Sequence, residues 1–567
     1  MVRFTRTMAV LMLAAGTALT ACTGPAPNGG GTTAAGTPPP SSATVQDPPT
    51  GWGPLASEVE AARAAVAGMD LEEKAGQVLI DHYAGVEPDA ELALAKKLHL
   101  GGVIIMGDNV PTTGGTSAAD TDKLADIVGD FREALSAGRD WPGIVAVDQE
   151  GGVVQRLKEP LTEWPTPMAF GAAGDTGLTR RAQAAMDAEL ARLGFTVNFS
   201  PIADVTAGAS DPTIGSRSFG DDAEAVAGHT VAAVAGALDA GVLPSVKHFP
   251  GHGSVTTDSH VGLPAQDTSV RKLSDRDWVP FRDAVEAGAP MVMMGHIAVT
   301  ELEKGVPASL SAASYRKLDG LDFDGVAVTD ALNMGAVTEA YPNGRAAVEA
   351  LKAGADLLLM PEAIAPAHAA VVKAVRSGEI PEARLDEAAA KVGAMMLWQG
   401  RLAASGAAFG GTGQDWPRVP PAAPGAGRKV GLEAARAAVT VVSGKCSGTL
   451  VSGKLRIEGG TATDRARLRS AAEAAGLDVA TSAESSKGGT LVRLLGSGKA
   501  TGSGDIVVAL DAPWGLAGSA ARTARIALYG RTPQSFTALA DVLAGKTEAP
   551  GTLPADVGRY PRGTGCP

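Results

Sequence analysis

Eight short aliphatic, β-branched runs recur between Gly76 and Pro361, and they constrain the fold more than any other feature. They are GQVLIDHY from Gly76, GGVIIMG from Gly101, GIVAVDQ from Gly143 and FTVNFSPIADV from Phe195. LPSVKHF from Leu243, APMVMMGHI from Ala289, GVAVTDAL from Gly325 and ADLLLMP from Ala355 complete the set. Between most of them lie helical patterns such as TDKLADIVGDFREAL, LTRRAQAAMDAELARLG and AEAVAGHTVAAVAGALDAG. Near-continuous apolar strands alternating with amphipathic helices predict a parallel sheet covered by helices. Eight such units predict an α/β fold of the (β/α)8 barrel type. An open doubly wound sheet is the alternative, but no GxGxxG follows the first strand.

The chain has 567 residues, too many for one ordinary domain, and 45% hydrophobic residues, ample for buried cores. Arg3 and Arg6 precede an apolar run, Met8 to Leu19, too short to span a bilayer as a mature helix. The run ends in Leu-Thr-Ala-Cys. It resembles a bacterial lipoprotein signal, which implies lipidation at Cys22 and export across the membrane. Residues 1–22 are then signal. Residues 23–54, rich in Pro, Gly, Ser and Thr, read as a disordered tether. A second low-complexity break places a linker at 405–428. The barrel is expected over 55–404 and a smaller domain over 429–567. That domain alternates apolar runs and helices again, in LEAARAAVTVVSG, DIVVALDAPWG and RIALYGRTPQSFTALADVLAG. A net charge of −13 argues against nucleic acid or an anionic membrane face as partner. Only Cys446 and Cys566 remain after Cys22, and in an oxidising compartment two cysteines of one domain can pair.

Polar residues collect at the C-terminal ends of the predicted strands: Asp148, Asp204, Lys247, His248, His296 and Asp330. A barrel enzyme builds its site on that rim. Each aspartate taken alone could cap the following helix, but their convergence on one rim favours a site. After the fifth strand comes KHFPGHGSVTTDSH, which holds three of the eight histidines. His248 and His252 are four apart, a metal-ligand spacing on a helix, yet Pro250 and Gly251 between them break any helix. No cysteine or HExxH-type glutamate is near, so neither a metal nor any other cofactor is expected.

Asp330 is the candidate nucleophile, able to attack an anomeric carbon and form a glycosyl-enzyme. A retaining glycosidase needs an acid about 5–5.5 Å from it. Asp258 and His260, two apart in an extended stretch, share a side, so Asp258 can orient His260 as that acid. His252 is given a loop-bracing role. Asp148, Arg156, Arg217, Lys247 and His248 suit a sugar's hydroxyls.

VDQEGGVVQRL, FSPIADV, IGSRSFG, KHFPGHGSVTTDSH and GVAVTDALNMGAV resemble the motif series of family 3 glycoside hydrolases, in the bacterial β-N-acetylglucosaminidase branch. Order and spacing match across nearly all of 55–400. The resemblance implies Asp330 as nucleophile, His260 of Asp-Ser-His as acid/base, and Asp148, Arg156, Arg217, Lys247 and His248 as ligands of the terminal sugar. It also implies an α/β sandwich after the barrel. Val153 stands where that branch often has arginine after Glu-Gly-Gly. The expected activity is retaining exo-β-N-acetylglucosaminidase on a carbohydrate substrate outside the cytoplasm, by a monomer held to the membrane through its lipid alone. Peptidoglycan fragments and chitin-derived oligosaccharides both remain open. A phosphorylase on the same scaffold is the alternative, since a neutral histidine repels phosphate less than a carboxylate would. A non-catalytic sugar-binding lipoprotein is a third reading, disfavoured by the intact nucleophile and acid.

Overall fold

The computed structural model describes residues 47–404, 418–481, 488–496 and 498–566. The eight apolar runs form eight parallel strands: β1 Leu79–Asp81, β2 Gly102–Ile105, β3 Ile144–Val147, β4 Val197–Asn198, β5 Leu243–Phe249, β6 Met291–Met294, β7 Val326–Thr329 and β8 Leu358–Leu359. They pair in sequence order, and β8 returns to β1 through Leu79 opposite Leu358. A bridge between Val328 and Leu357 joins β7 to the start of β8 and closes the barrel. All residues of these strands are buried, as expected when helices cover one face and the barrel interior the other. The strand at 195–205 is regular only over Val197–Asn198. Pro201 has no N–H to give to the ladder, and pairing resumes at a single bridge between Ile202 and Lys247.

Local chemistry sets the helices. Asp120, Asp175 and Asp222 each accept a hydrogen bond from a backbone N–H three residues on, capping helices Thr121–Ser136, Thr176–Leu193 and Ala223–Ala240. The last two stop at Gly194 and Gly241, whose φ of 95° and 77° suit glycine.

Parts of the segments expected as tether and linker pack on the barrel. The tether expected over 23–54 is ordered from 47 to 54: Trp52 sinks into the barrel's hydrophobic core, and Ala56 N–H donates to Pro48 O. Thr50 N–H also donates to Pro54 O, and Pro49 and Leu55 form a β-bridge. The linker expected over 405–428 packs along its final part. Val419 N–H donates to Asp239 O, Ala422 N–H to Ala188 O and Gly427 N–H to Glu189 Oε1, and a helix starts at Arg428. Cys22, the signal segment and residues 405–417 lie outside the described residues.

The second domain carries a five-stranded sheet: β9 Thr440–Gly444, β10 Leu455–Gly459, β11 Thr490–Leu495, β12 Ser503–Ala509 and β13 Ala520–Ala527, in the order β9-β13-β12-β11-β10. The β9–β13 pair is antiparallel and the other three pairs are parallel. Helices Arg428–Ala438, Ala462–Ala474 and Pro533–Leu543 belong to this domain, which is the expected α/β sandwich. Cys446 and Cys566 form a disulfide, with Cα atoms 5.7 Å apart. The domain packs on barrel helix Pro167–Ala173 through Met168, Ala172, Tyr529 and Leu553.

Candidate active site

The C-terminal ends of the barrel strands enclose a cavity of about 220 Å³. Asp148, Arg156, Arg217, Lys247, His248, His260 and Asp330 all line it. Asp258 is not on its wall but contacts His260 directly.

The Asp148 side of the cavity starts from a glycine turn. Gln149–Gly151 and Val154–Gln155 form a small antiparallel ribbon. Gly151 and Gly152 turn it at φ 91° and 59°, and a Cβ on Gly152 would lie 2.4 Å from Thr166 Cγ2. Gln149 clamps the ribbon by exchanging two hydrogen bonds with the backbone of Leu157. This places Asp148 and Glu150 against the cations. Lys247 Nζ lies 2.7 Å from both Asp148 Oδ1 and Glu150 Oε1. Arg217 donates Nε–H and Nη2–H to the two Glu150 oxygens, each at 2.9 Å. Arg156 approaches Asp148 at 3.5 Å. Burial pushes the Glu150 carboxyl up, but Arg217 and Lys247 outweigh it and hold it well below the ordinary range. Lys247 is raised in turn, since Asp148 and Glu150 overcome its burial.

Asp211 shapes the loop that carries Arg217 by accepting the N–H groups of Thr213, Ile214 and Gly215. On β5, Lys247 and His248 are both buried although neighbours on a regular strand face opposite ways. The register slips between Lys247 and Phe249, and this irregularity lets both side chains serve the cavity. Asp204 braces the end of β5 and the start of its loop. Its Oδ2 meets His248 Nδ1 at 2.7 Å, and its Oδ1 accepts the His252 N–H at 2.6 Å. Burial raises the Asp204 pKa, but the two histidines together lower it below the ordinary value.

The loop that carries His260 is tied in two places. His252 Nε2 and Ser259 Oγ share a hydrogen bond of 2.9 Å. Asp258 Oδ1 lies 2.7 Å from His260 Nδ1 and also accepts the His260 N–H. The His260 side chain remains 63% exposed at the cavity mouth. Burial, with the charge of His248 beside it, pushes His252 down to about 4, so it is neutral near pH 7.

Asp330 ends β7, and it does not cap a helix. The next helix is Gly335–Thr338, with no side-chain cap, and the Asp330 carboxylate accepts the N–H of Ala331. Burial would raise its pKa, but the imidazoles of His248 and His296, the Ala331 N–H and Lys247 bring it to about 2. His296 is held by Ser309 Oγ at Nδ1 and by the Ala331 carbonyl at Nε2, which therefore carries the proton.

Glu150 is the chief member of this network that reading the strand ends leaves out. The signal was available: Arg156, Arg217 and Lys247 on one rim require more than one buried anion, and Glu150 stands two residues after Asp148. Val153, where an arginine was the alternative, is 56% exposed. It borders a separate cavity of about 500 Å³ shared with Thr461, Arg467 and Arg531 of the second domain.

Residues 70–395 match the glycosyl hydrolase family 3 N-terminal domain. The chain belongs to that family. It is 32% identical to Beta-hexosaminidase LpqI of Mycobacterium tuberculosis over 411 residues, 69% of this chain and 97% of the relative. A family 3 β-N-acetylglucosaminidase from Paenibacillus sp. str. FPU-7 superposes with a TM-score of 0.73 at 28% identity, covering 86% of this chain and 99% of that one. The β-glucoside phosphorylase BglX shares the fold, with a TM-score of 0.72 at 18% identity over 88% of this chain and 96% of that one. Among the described residues no helix is long and apolar enough to cross a membrane.

Proposed function

We propose that this glycoside hydrolase is a retaining exo-β-N-acetylglucosaminidase that removes terminal N-acetylhexosamine residues from cell-wall fragments or chitooligosaccharides outside the cytoplasm, held to the membrane by a lipid on Cys22. The observation that carries the activity is the joint placement of Asp330 and His260 on one sugar-sized cavity whose far side is the Asp148–Glu150–Arg217–Lys247 ion cluster. In this mechanism the Asp330 carboxylate attacks the anomeric carbon while the bond to the leaving oxygen breaks and that oxygen takes the proton of His260. Asp258 holds the ring through His260 Nδ1. Water then attacks the glycosyl-Asp330 ester, giving its proton to His260, and the sugar leaves with its configuration retained. Lys247, Asp148, Arg156, Arg217 and His248 hold the sugar hydroxyls.

The test is incubation with N-acetylglucosaminyl disaccharides, with and without phosphate. Free N-acetylglucosamine of retained configuration is expected in both. N-acetylglucosamine 1-phosphate as the main product would make the enzyme a phosphorylase instead. A slow 2-fluoro donor should leave its sugar on the peptide carrying Asp330, seen by mass spectrometry. Labelling of another carboxylate overturns the assignment. For the anchor, Cys22→Ala should move the protein from the membrane fraction to the medium.

A further inference from the structure

The ends of β1, β2 and β8 enclose a second cavity, about 470 Å³, that shares Met106 and Met360 with the catalytic one. Asp81, Glu91, Asp108 and Glu362 line it, and among the described residues no lysine or arginine does. Asp81 is 3% exposed, and its carboxyl faces that of Glu91. Burial first, and then the neighbouring Glu91 carboxyl, raises the Asp81 pKa to about 9. Tyr83 lines the same cavity at 8% exposure. Its ring packs on Phe131 with centroids 5.5 Å apart, and its hydroxyl meets no hydrogen-bond partner among the described residues. His82 Nδ1 is likewise shielded and without a hydrogen-bond partner among them. A buried, unpaired phenol in a cavity lined by four acidic groups is costly unless a ligand completes it.

This cavity adjoins the catalytic one near the loop that carries His260, the acid of the proposed mechanism. The His260 carbonyl lies against Gly335, within 2.9 Å of where a Cβ would stand. Asn333, two residues earlier, lines the catalytic cavity, and its Nδ2 lies 3.3 Å from His82 Nε2.

We propose that the cavity binds a primary ammonium group carried by the leaving group of the substrate, an inference that rests on the glycosidase reading above. An ammonium brings three donors and no acceptor, which suits a lining of carboxylates and one phenol oxygen. A carboxylate ligand would meet only like charge. Among the described residues no three histidine or acidic groups converge as metal ligands would. Two sources carry such an ammonium: an N-deacetylated hexosamine, and a diamino acid on a peptide attached to the leaving sugar.

The test compares kcat/KM for pairs that differ in one ammonium. One pair is N-acetylglucosaminyl-β-1,4-glucosamine against its fully acetylated disaccharide. The other is an N-acetylglucosaminyl-muramyl peptide with and without a terminal diamino acid. Wild type should prefer the ammonium member of at least one pair by about tenfold or more, the scale of a charged hydrogen bond. Preference in one pair alone identifies the source. Glu91→Gln should bring the ratio close to one, and Tyr83→Phe, which keeps the ring packing, should reduce it. No preference in either pair, or one that Glu91→Gln leaves intact, overturns the proposal. If no substrate is cleaved, the glycosidase reading fails separately. Calorimetric titration of Asp330→Asn with both pairs then decides: equal affinities overturn the ammonium site, and an ammonium preference abolished by adding Glu91→Gln supports it.

Discussion

Glu150 and Arg217 form a two-point ion pair inside the barrel mouth, both bonds 2.9 Å long, with the Glu150 side chain wholly shielded from solvent. The same carboxylate also neutralises Lys247. Removing its charge leaves two buried cations short of a partner. Losing one member of a buried pair typically costs about 3–5 kcal/mol. Glu150→Gln should therefore lower the denaturation midpoint as well as turnover. The pH dependence has a definite sign. Because the folded pKa is depressed, the stability Glu150 contributes is present above the unfolded value, near 4.3 for a glutamate, and is lost as pH falls below it. Urea denaturation between pH 6 and 3 should show a smaller loss for the variant than for wild type. Equal losses would mean that the pair does not hold the mouth together.

His252 predicts a different pH window. Its folded pKa of about 4 lies below the ordinary histidine value near 6.5. Protons bind the unfolded chain first, so stability falls as pH drops from about 6.5 to about 4 and changes little above. His229, buried beside Thr179 and also pushed down to about 4, adds to the same window. His252→Gln should flatten part of this slope, and His229→Gln another part. A slope unchanged by either would show that neither histidine is held neutral.

The barrel was legible because its evidence is repeated. Eight apolar runs, each too short to be decisive alone, carry the same period, and the hydrophobic strands sit where those runs lie. The rim was legible for a similar reason: Asp148, Lys247, His248 and Asp330 all end a strand. Glu150 and Asp204 were harder to weigh because their task is inward. They orient cations and imidazoles, and nothing in a linear pattern separates such a carboxylate from a helix cap. The side chains of Lys247 and His248 share one cavity where the β5 backbone is irregular, and such an irregularity has no one-letter signature. Trp52 shows the opposite failure. Composition over a window hid one large apolar residue, which packs in the barrel core.

The disulfide predicts a large contribution to stability. Cys446 and Cys566 are 120 residues apart and tie the end of the chain beside the first strand of the second domain. In the chain-entropy model a loop of that length contributes on the order of 4–5 kcal/mol. Cys446→Ala and Cys566→Ala should each destabilise the protein by an amount approaching this, and the double variant by no more than either single. The unreduced, denatured wild type should show no titratable thiol from this pair. Two free thiols would rule the bridge out.

His260 and His248 make a sharper pair. Each sits on the cavity and each is held by an aspartate at 2.7 Å, yet one is exposed at the mouth and the other buried. If His260 is the acid, its loss matters in proportion to how badly the leaving oxygen needs a proton. A sugar hydroxyl needs one, and general acid help is typically worth about 10²–10⁴-fold there. A nitrophenolate leaves without one. His260→Ala should therefore slow glycosylation by a disaccharide far more than glycosylation by an aryl glycoside. With the aryl substrate the glycosyl-enzyme should accumulate, because base help to water is also gone. His248→Ala should weaken both substrates alike, since its expected contact is with the sugar that both share. Pre-steady-state glycosylation of each substrate by each variant gives the four rates required. Equal losses for His260→Ala on the two substrates would remove it as the acid.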